Sequence, residues 1–369
     1  MEQNKSTVSL IRILIKASIL FVLFNFAFIF VKSESLGRIS LYNSVFPGRE
    51  RFPFGETRES YNISLYNLDA MFASHIISGV EKQPDEFRVI LIGDSSVWGT
   101  LLTLEQTLAG QLNAVPITTC GKTVHAYNLG YPTISLTKDL MILDQAMQYQ
   151  PDLIFVLTTL EAMPHDKQFE SPLVANNAER IQELIANYQL HADANDKVLI
   201  RLSKQDQTFV SQRRALADLL RLQIYGANWA STGIDQVYPE DYERAQTDLD
   251  DDVEYHGMTD PSMLQDALAM DVLDALMSMN VQTILVNEPM LISDGQNGDV
   301  RYNFFYPRWA YDEYRTIMQA YAHEHDKQYL DLWDLVPADE FTNSAIHLTP
   351  HGESLLANEV AEKIQTICK

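Results

Sequence analysis

The sequence predicts an α/β fold: a doubly wound, parallel five-stranded sheet in an α/β/α sandwich, with a largely helical insertion and an N-terminal transmembrane helix. Three observations predict it. Short apolar, β-branched runs alternate with helical stretches along most of the chain, a charged segment interrupts the alternation once, and a long uncharged stretch stands near the N-terminus. Strands joined by helices form parallel sheets covered on both faces, and right-handed crossovers put helices on each side.

The N-terminal stretch is "SLIRILIKASILFVLFNFAFIFVK". Residues 17–31 carry no charge, and counting from Leu10, with Arg12 and Lys16 snorkelling to one interface, the segment is long enough to span a bilayer as a helix of roughly 20 residues. Lys5, Arg12 and Lys16 precede the apolar core, which by the positive-inside rule places the N-terminus in the cytoplasm and exports the rest. A cleaved signal peptide is the rival reading, but only "KSESLG" follows Val31, with no small-residue cleavage site. The expected organisation is a cytoplasmic start and signal anchor over 1–32, an arm over 33–85 and an α/β domain over 86–369 with an insertion at about 160–257. The protein is expected in the membrane, single-pass, with its main domain in the cell envelope.

The arm mixes aromatic and polar residues and ends in a short helix near 68–77. The alternation then begins with the strand "FRVILIG" and the helix "TLEQTLAGQLNA", whose apolar residues recur at three and four. "VHAYNLG" is a strand, "SLTKDLMILDQAMQY" a helix and "DLIFVLTT" a buried strand. The insertion holds the helical stretches "NAERIQELIANYQL" and "SQRRALADLLRLQIYG" and ends in "DLDDDVEYHG", a solvated acidic run that lacks the glycine of a calcium loop. The alternation resumes with helix "MLQDALAMDVLDALMSM", strand "VQTILVNEP", helix "AYDEYRTIMQAYAHEH", strand "KQYLDLWDLV" and helix "GESLLANEVAEKIQTI".

Composition excludes some functions. Fifty acids against 27 basic residues give a net charge of −23, which repels nucleic acid and anionic head groups. The chain has two cysteines, Cys120 and Cys368, in no metal-binding pattern. Export permits a bridge between them, but each is read first as a lone buried cysteine. Asn62-Ile63-Ser64 is a glycosylation sequon, relevant only in a eukaryotic secretory pathway.

Ligands of such sheets bind beyond the carboxyl ends of the strands. There the first strand runs into Gly93-Asp94-Ser95-Ser96, and the last into a loop holding His347 before "LTPHG", with Thr349 as helix N-cap and Pro350 at the first helical position. A serine on the turn after a central strand projects its hydroxyl above the sheet, and a base at the sheet rim can take its proton. His347 and His351 have zinc-like spacing but no third ligand, and His323, His325 and Asp326 end a helix, where the dipole explains them without a metal. No Gly-rich phosphate loop occurs, so neither cofactor nor metal is expected. "RYNFFYPRWAYDEYR" has two readings, a sugar-binding groove or packing against the insertion.

"ILIGDSSVWG" at the start of this domain and "IHLTPHGESLLANEV" at its end resemble the SGNH (GDSL-type) hydrolase superfamily. The resemblance spans about 87–369 without the insertion. It implies a Ser-His-Asp triad and an oxyanion hole on a parallel α/β/α sandwich. Ser95 then matches the nucleophile and its N–H an oxyanion donor, while His347 matches the general base. Three positions depart from the pattern. The acid three residues before the histidine is Ser344, with Asn343 beside it, so that Asp331, Asp334, Asp339 and Glu340 are the acids within reach along the chain. The oxyanion glycine appears as Thr133, with Gly130 near, and the family's asparagine falls at Glu161, which is free to hold His347 or to face substrate. Asp94 is a further auxiliary candidate.

The resemblance implies a membrane-tethered serine ester hydrolase or O-acyltransferase acting on acylated carbohydrate of the cell envelope, with a membrane acyltransferase partner as a further expectation. A non-catalytic binding protein for a glycan or a membrane partner is the competing class. A lipase is a third, disfavoured by the charged insertion.

Overall fold

All seven residues of the strand β1, Glu86–Ile92, are buried, as a run without polar alternation requires when both faces of a sheet are covered. The computed structural model describes residues 9–55, 63–239 and 241–368; Lys5 and Asn62 lie outside them. Five further strands follow: β2 (Thr118–Thr119), β3 (Lys122–Asn128), β4 (Leu153–Thr158), β5 (Gln282–Asn287) and β6 (Gln328–Asp331). Their order is β2-β3-β1-β4-β5-β6. Every pairing is parallel except that of β2, a two-residue edge strand antiparallel to β3 that the sequence did not announce.

The chain moves from β1 to β3 on one side, then returns past β1 to β4. Strand order reverses there, so the crevice beyond the carboxyl ends of β1 and β4 is where a ligand site is expected. The two faces divide along the strand. Phe87, Val89 and Leu91 pack with the helices Leu108–Ala114 and Pro350–Thr366. Ile90 and Ile92 pack with the helices Leu136–Ala146, Met270–Met277 and Arg308–Glu324. This second core also takes in Phe52 and Phe72 of the arm and Leu173, Leu184, Leu222 and Trp229 of the insertion.

Several elements differ from the periodicity. The stretch 263–279 is not one helix: two 3-10 turns, Pro261–Met263 and Gln265–Ala267, precede the α-helix Met270–Met277. Their chain is drawn onto the sheet domain, where Ala269 N–H donates to Met163 O at 2.8 Å. The helix expected over 103–114 breaks at Thr107, whose hydroxyl caps the second half by accepting from Gly110 N–H. The insertion contributes the helices Pro172–Ala175, Ala178–Tyr188 and Phe209–Thr232. The aromatic stretch packs on the insertion: Trp309 Nε1–H donates to Val253 O at 2.7 Å and Arg301 to Asp252 O at 2.7 Å, while Tyr306, Tyr311 and Tyr314 are buried. Of its two readings, packing is the one the structure bears out.

The N-terminal helix Leu10–Phe28 has 19 residues, a mean hydropathy of 2.0 and no buried side chain but Phe28, so it is long and apolar enough to cross a membrane. Phe24 and Phe28 rest edge-on against Phe209 at 5.1 and 5.5 Å between ring centroids, and Val210 N–H donates to Asn25 Oδ1.

The two cysteines are not lone: Cys120 and Cys368 form a disulfide across a sequence separation of 248. Cys120 directly follows the edge strand β2, and the last helix, in contact with that strand, delivers Cys368 to it. The sequence hid this because nothing in it says which edge of the sheet the last helix reaches.

Glu353, on the first turn of the last helix, is buried and accepts from Leu108 N–H, and desolvation pushes its pKa up to about 8. The folded chain therefore holds a proton that the unfolded chain releases above its ordinary carboxyl pKa, so this group loses stability as pH rises from about 4.5 to 8. Glu353→Gln is expected to remove that slope. Urea unfolding should show the variant gaining on the parent by on the order of 1 kcal/mol per pH unit across that window, and by no more above it. A constant difference from pH 5 to 8 would contradict the protonated state.

Candidate active site

β1 ends at Ile92, and after Gly93 the chain at Asp94 leaves the helical and strand regions, with φ −99° and ψ −140°. Its carboxylate accepts from Ser96 N–H at 2.9 Å and starts the four-residue helix Ser95–Trp98. Asp94 is thus an N-cap. Burial raises its pKa, and the nearby Lys138 ammonium offsets part of the rise. Gly99 closes the short helix at φ +86°, a conformation that favours glycine.

This turn presents Ser95 to the loop before the last helix. Ser95 Oγ lies 2.8 Å from His347 Nε2, and His347 Nδ1 lies 2.8 Å from Asn343 Oδ1. With Nδ1–H donating to Asn343, Nε2 is left as the acceptor for the serine hydroxyl, the tautomer a general base needs. Asn343 therefore stands where the acid of a triad would. Ser344, at the family's acid position, does not, and both ring nitrogens of His347 are occupied without it. The neighbouring acids are engaged elsewhere: Asp331 pairs with Arg315 at 2.7 Å and Glu340 accepts from Thr349 Oγ1. Desolvation, with no anion to oppose it, pulls the half-buried His347 down to about 4. The imidazole is neutral across the physiological range but weakly basic.

Of the expected oxyanion donors, one remains. Ser95 N–H, at the first helical position, has no acceptor among the described residues. Gly130 N–H does not serve: it donates to Asn128 Oδ1 at 3.0 Å. The glycine has another purpose, since a Cβ there would stand 2.5 Å from Trp98 N and push on the helix Ser95–Trp98. Thr133 N–H is likewise turned to Tyr131 O at 2.6 Å, and its hydroxyl lies 2.8 Å from Ser171 Oγ. Asn-x-Gly after a strand is a turn signal in which the side chain claims the glycine N–H, so the first of these commitments was readable.

Glu161 does not hold His347. Its carboxylate accepts from His256 Nε2 at 3.2 Å and Tyr255 Oη at 3.3 Å and pairs with Lys167 at 3.4 Å, while Asp166 lies 3.2 Å from the other nitrogen of His256. A cation and two hydrogen-bonding partners thus hold it.

Sequence reading missed the residues that hold the turn in place. Lys138 is fully buried and donates to Gly93 O at 2.7 Å and Tyr131 O at 3.2 Å beside its ion pair with Asp139. Asn128 Nδ2 donates to Val97 O at 2.7 Å. Arg51, from the arm, is 1% exposed; it donates to Gly99 O at 2.9 Å and Leu102 O at 3.1 Å, pairs with Asp235 at 2.8 Å and lies over the Trp98 ring. Ser96 Oγ donates to Glu288, a buried carboxyl that desolvation and Asp94 hold well above the ordinary range. Lys138 sits on a helix buried on nearly every side, where apolar spacing gives no clue to a buried cation. Among the described residues no three of His, Cys, Asp and Glu gather to hold a metal ion. An open cleft of about 610 Å³ between the arm and helix Leu136–Ala146 contains none of the site residues.

Two outcomes follow from this geometry. Asn343→Asp supplies the missing charge, which raises the pKa of His347. Its kcat on an aryl acetate is expected to rise by at least about tenfold, within the roughly 10⁴ an orienting acid can supply, and the acidic limb of kcat/KM to move up from near pH 4. A slower variant with an unmoved limb would remove Asn343 from the orienting role. Arg51→Leu leaves Asp235 buried without its cation, with Tyr238 Oη still donating to it, and urea unfolding is expected to show a loss of about 3–5 kcal/mol; a loss below about 1 kcal/mol would show that the pair does not brace the turn.

No protein-family model matches the chain, and no curated protein does. Solved structures do. A member of the lipolytic protein G-D-S-L family from Veillonella parvula matches at 12% identity over 74% of this chain and 96% of its own, with a TM-score of 0.32. A carbohydrate acetylesterase from Sinorhizobium meliloti matches at 12% over 75% and 97%, TM-score 0.34, and an aryl esterase from M. smegmatis at 12% over 76% and 99%, TM-score 0.35.

Proposed function

We propose that the chain is a membrane-tethered serine ester hydrolase or O-acyltransferase of SGNH type, exposed to the cell envelope. The observation that carries the reading is the 2.8 Å contact of Ser95 Oγ with His347 Nε2, between residues 252 apart, with Asn343 fixing the tautomer. Ser95 Oγ attacks the acyl carbon as its proton passes to His347 Nε2. The ester C–O bond then breaks, and His347 returns the proton to the departing alcohol. Water or an acceptor hydroxyl attacks the acyl-enzyme, His347 takes its proton, and Ser95 is restored. Water completes hydrolysis; an acceptor completes transfer. Ser95 N–H supports the oxyanion. One such donor is worth about 3–4 kcal/mol in sites where it has been removed.

The N-terminal helix supports the tether, and the Cys120–Cys368 bridge suits an oxidising compartment outside the cytoplasm. In that place acylated carbohydrate is the substrate we favour, with a membrane acyltransferase as partner where the reaction is transfer. A second reading has its own observation: Gly130 and Thr133 have their N–H groups committed and no acid reaches His347, which suits a scaffold that binds an acylated glycan without turning it over.

Fluorophosphonate labelling of the full chain separates the two. Labelling that Ser95→Ala abolishes and His347→Ala lowers by at least about 10³-fold is expected for the hydrolase. A folded, disulfide-bonded chain that takes no label would sink it and leave the binding reading.

A further inference from the structure

The helix Phe209–Thr232 stands apart from the rest of this acidic chain. Among its 24 residues are three arginines and a single acid, Asp218, which is paired with Arg221 at 2.9 Å. Its inner face is settled: Leu222 and Trp229 are buried, and Gly226 lies so close to the Tyr42 ring that a Cβ would stand 2.4 Å from Cζ. The outer face carries Val210, Arg213, Leu220, Arg221 and Ile224, which share one side of the helix at 3.6 residues per turn, with Arg214 at its edge, all exposed. Leu220 and Ile224 are 66% and 60% exposed. Large aliphatic residues interleaved with arginines on one side of a long helix suit the boundary between head groups and acyl chains.

Two further observations say what covers this face. First, the helix begins on the candidate membrane span, with Phe209 against Phe24 and Phe28 and Val210 N–H bonded to Asn25. Its start is therefore at the level where the span leaves the bilayer. Second, the chain leaving the span runs beside it: Leu41 N–H donates to Gln223 at 2.7 Å, and Ile39 is 74% exposed. Gln223 lies 14 residues along the helix from Phe209, about 21 Å at 1.5 Å per residue, so that span and arm contact the helix at points about that far apart. In a chain of net charge −23, a face with three arginines and one acid, itself paired, is suited to an anionic surface.

We propose that the helix Phe209–Thr232 is a second membrane contact, lying in the interface of the bilayer that holds Leu10–Phe28 and binding anionic lipid head groups through Arg213, Arg214 and Arg221. The proposal rests on the anchor in the proposed function and goes beyond it. The occupant is lipid, and a protein partner on the same face is the alternative that the experiment distinguishes.

The test uses the full chain reconstituted into vesicles of neutral phosphatidylcholine, or of the same lipid with about one quarter phosphatidylglycerol. Leu20→Cys, Leu220→Cys, Ile224→Cys and Asn358→Cys are labelled singly with an environment-sensitive fluorophore, the native cysteines being bridged. Lipids with nitroxides at shallow or deep positions quench the label. The expected result is deep quenching at Leu20→Cys, with shallow quenching at Leu220→Cys and Ile224→Cys at least about threefold above Asn358→Cys in anionic vesicles. Arg213→Glu, Arg214→Glu and Arg221→Glu together should bring Leu220→Cys down to the Asn358→Cys level. Deep quenching at Leu20→Cys with none above the Asn358→Cys level on the helix overturns the inference and leaves the anchor standing. Absence of quenching at Leu20→Cys overturns the anchor and the inference together. Neither result touches the hydrolase reading, which fluorophosphonate labelling decides.

Discussion

The structure depends on a buried turn that cannot satisfy its own backbone. The chain must leave β1, cap a helix of four residues and reverse at Gly99, all to place one hydroxyl above the sheet. A helix that short leaves most of its carbonyls without intrahelical donors, and burial denies them water. The donors arrive from three segments: Lys138 on Gly93 O, Asn128 on Val97 O, and Arg51 on Gly99 O and Leu102 O. Gly93 O and Gly99 O also accept from Tyr131 N–H and Leu102 N–H, so there the side chains add a second donor. The arm adds His75, buried and pulled down to about 4 by desolvation, whose Nε2–H donates to Asn128 O and so ties the arm to the end of β3.

That constraint explains what the sequence disclosed. Val89 to Ile92 announce a strand because burial on both faces demands an unbroken apolar run, and Ser95 and His347 announce a pair because the ends of parallel strands share one edge of the sheet. Asn343 was within reach because it adjoins the position where an acid belongs. Lys138, Arg51 and Asp235 were not legible. Their partners are backbone carbonyls and residues as much as 184 positions away, and no local pattern marks a cation whose task is to satisfy them. Gly130 shows the opposite failure: a backbone N–H near the right place was read as a donor to substrate, when its own neighbour Asn128 had already claimed it.

The amide at Asn343 changes the electrostatics more than the geometry. Under the proposed mechanism a carboxylate would hold His347 in the same tautomer and also stabilise the imidazolium formed as Ser95 attacks; the amide does only the first. Beneath the serine there is no lack of acid. Asp94, Asp139 and Glu288 are all buried with pKa values raised by desolvation, in company with one cation, Lys138. Burial works against negative charge on all three, and Glu288, held well above the ordinary carboxyl range, meets Ser96 through a hydrogen bond.

The Arg51–Asp235 pair then joins the site to the rest of the molecule. Taking both charges out of water costs most of what their attraction returns, so its value is directional. Only a guanidinium can give Nε and Nη2 to Asp235 while Nη1 reaches the carbonyls of the turn that carries Ser95; a lysine in its place has one ammonium for both tasks. Asp235 follows the helix Phe209–Thr232 by three residues, and that helix begins on the N-terminal span. The segment after the insertion helix is thereby joined to the turn that carries Ser95 through buried side chains, Arg51 with Asp235 and Gln236 on Leu102 O. The arm and the insertion, which look in the sequence like additions to a sheet domain, meet at the turn that carries Ser95, while the N-terminal helix touches the insertion at Phe209, the far end of the helix Phe209–Thr232.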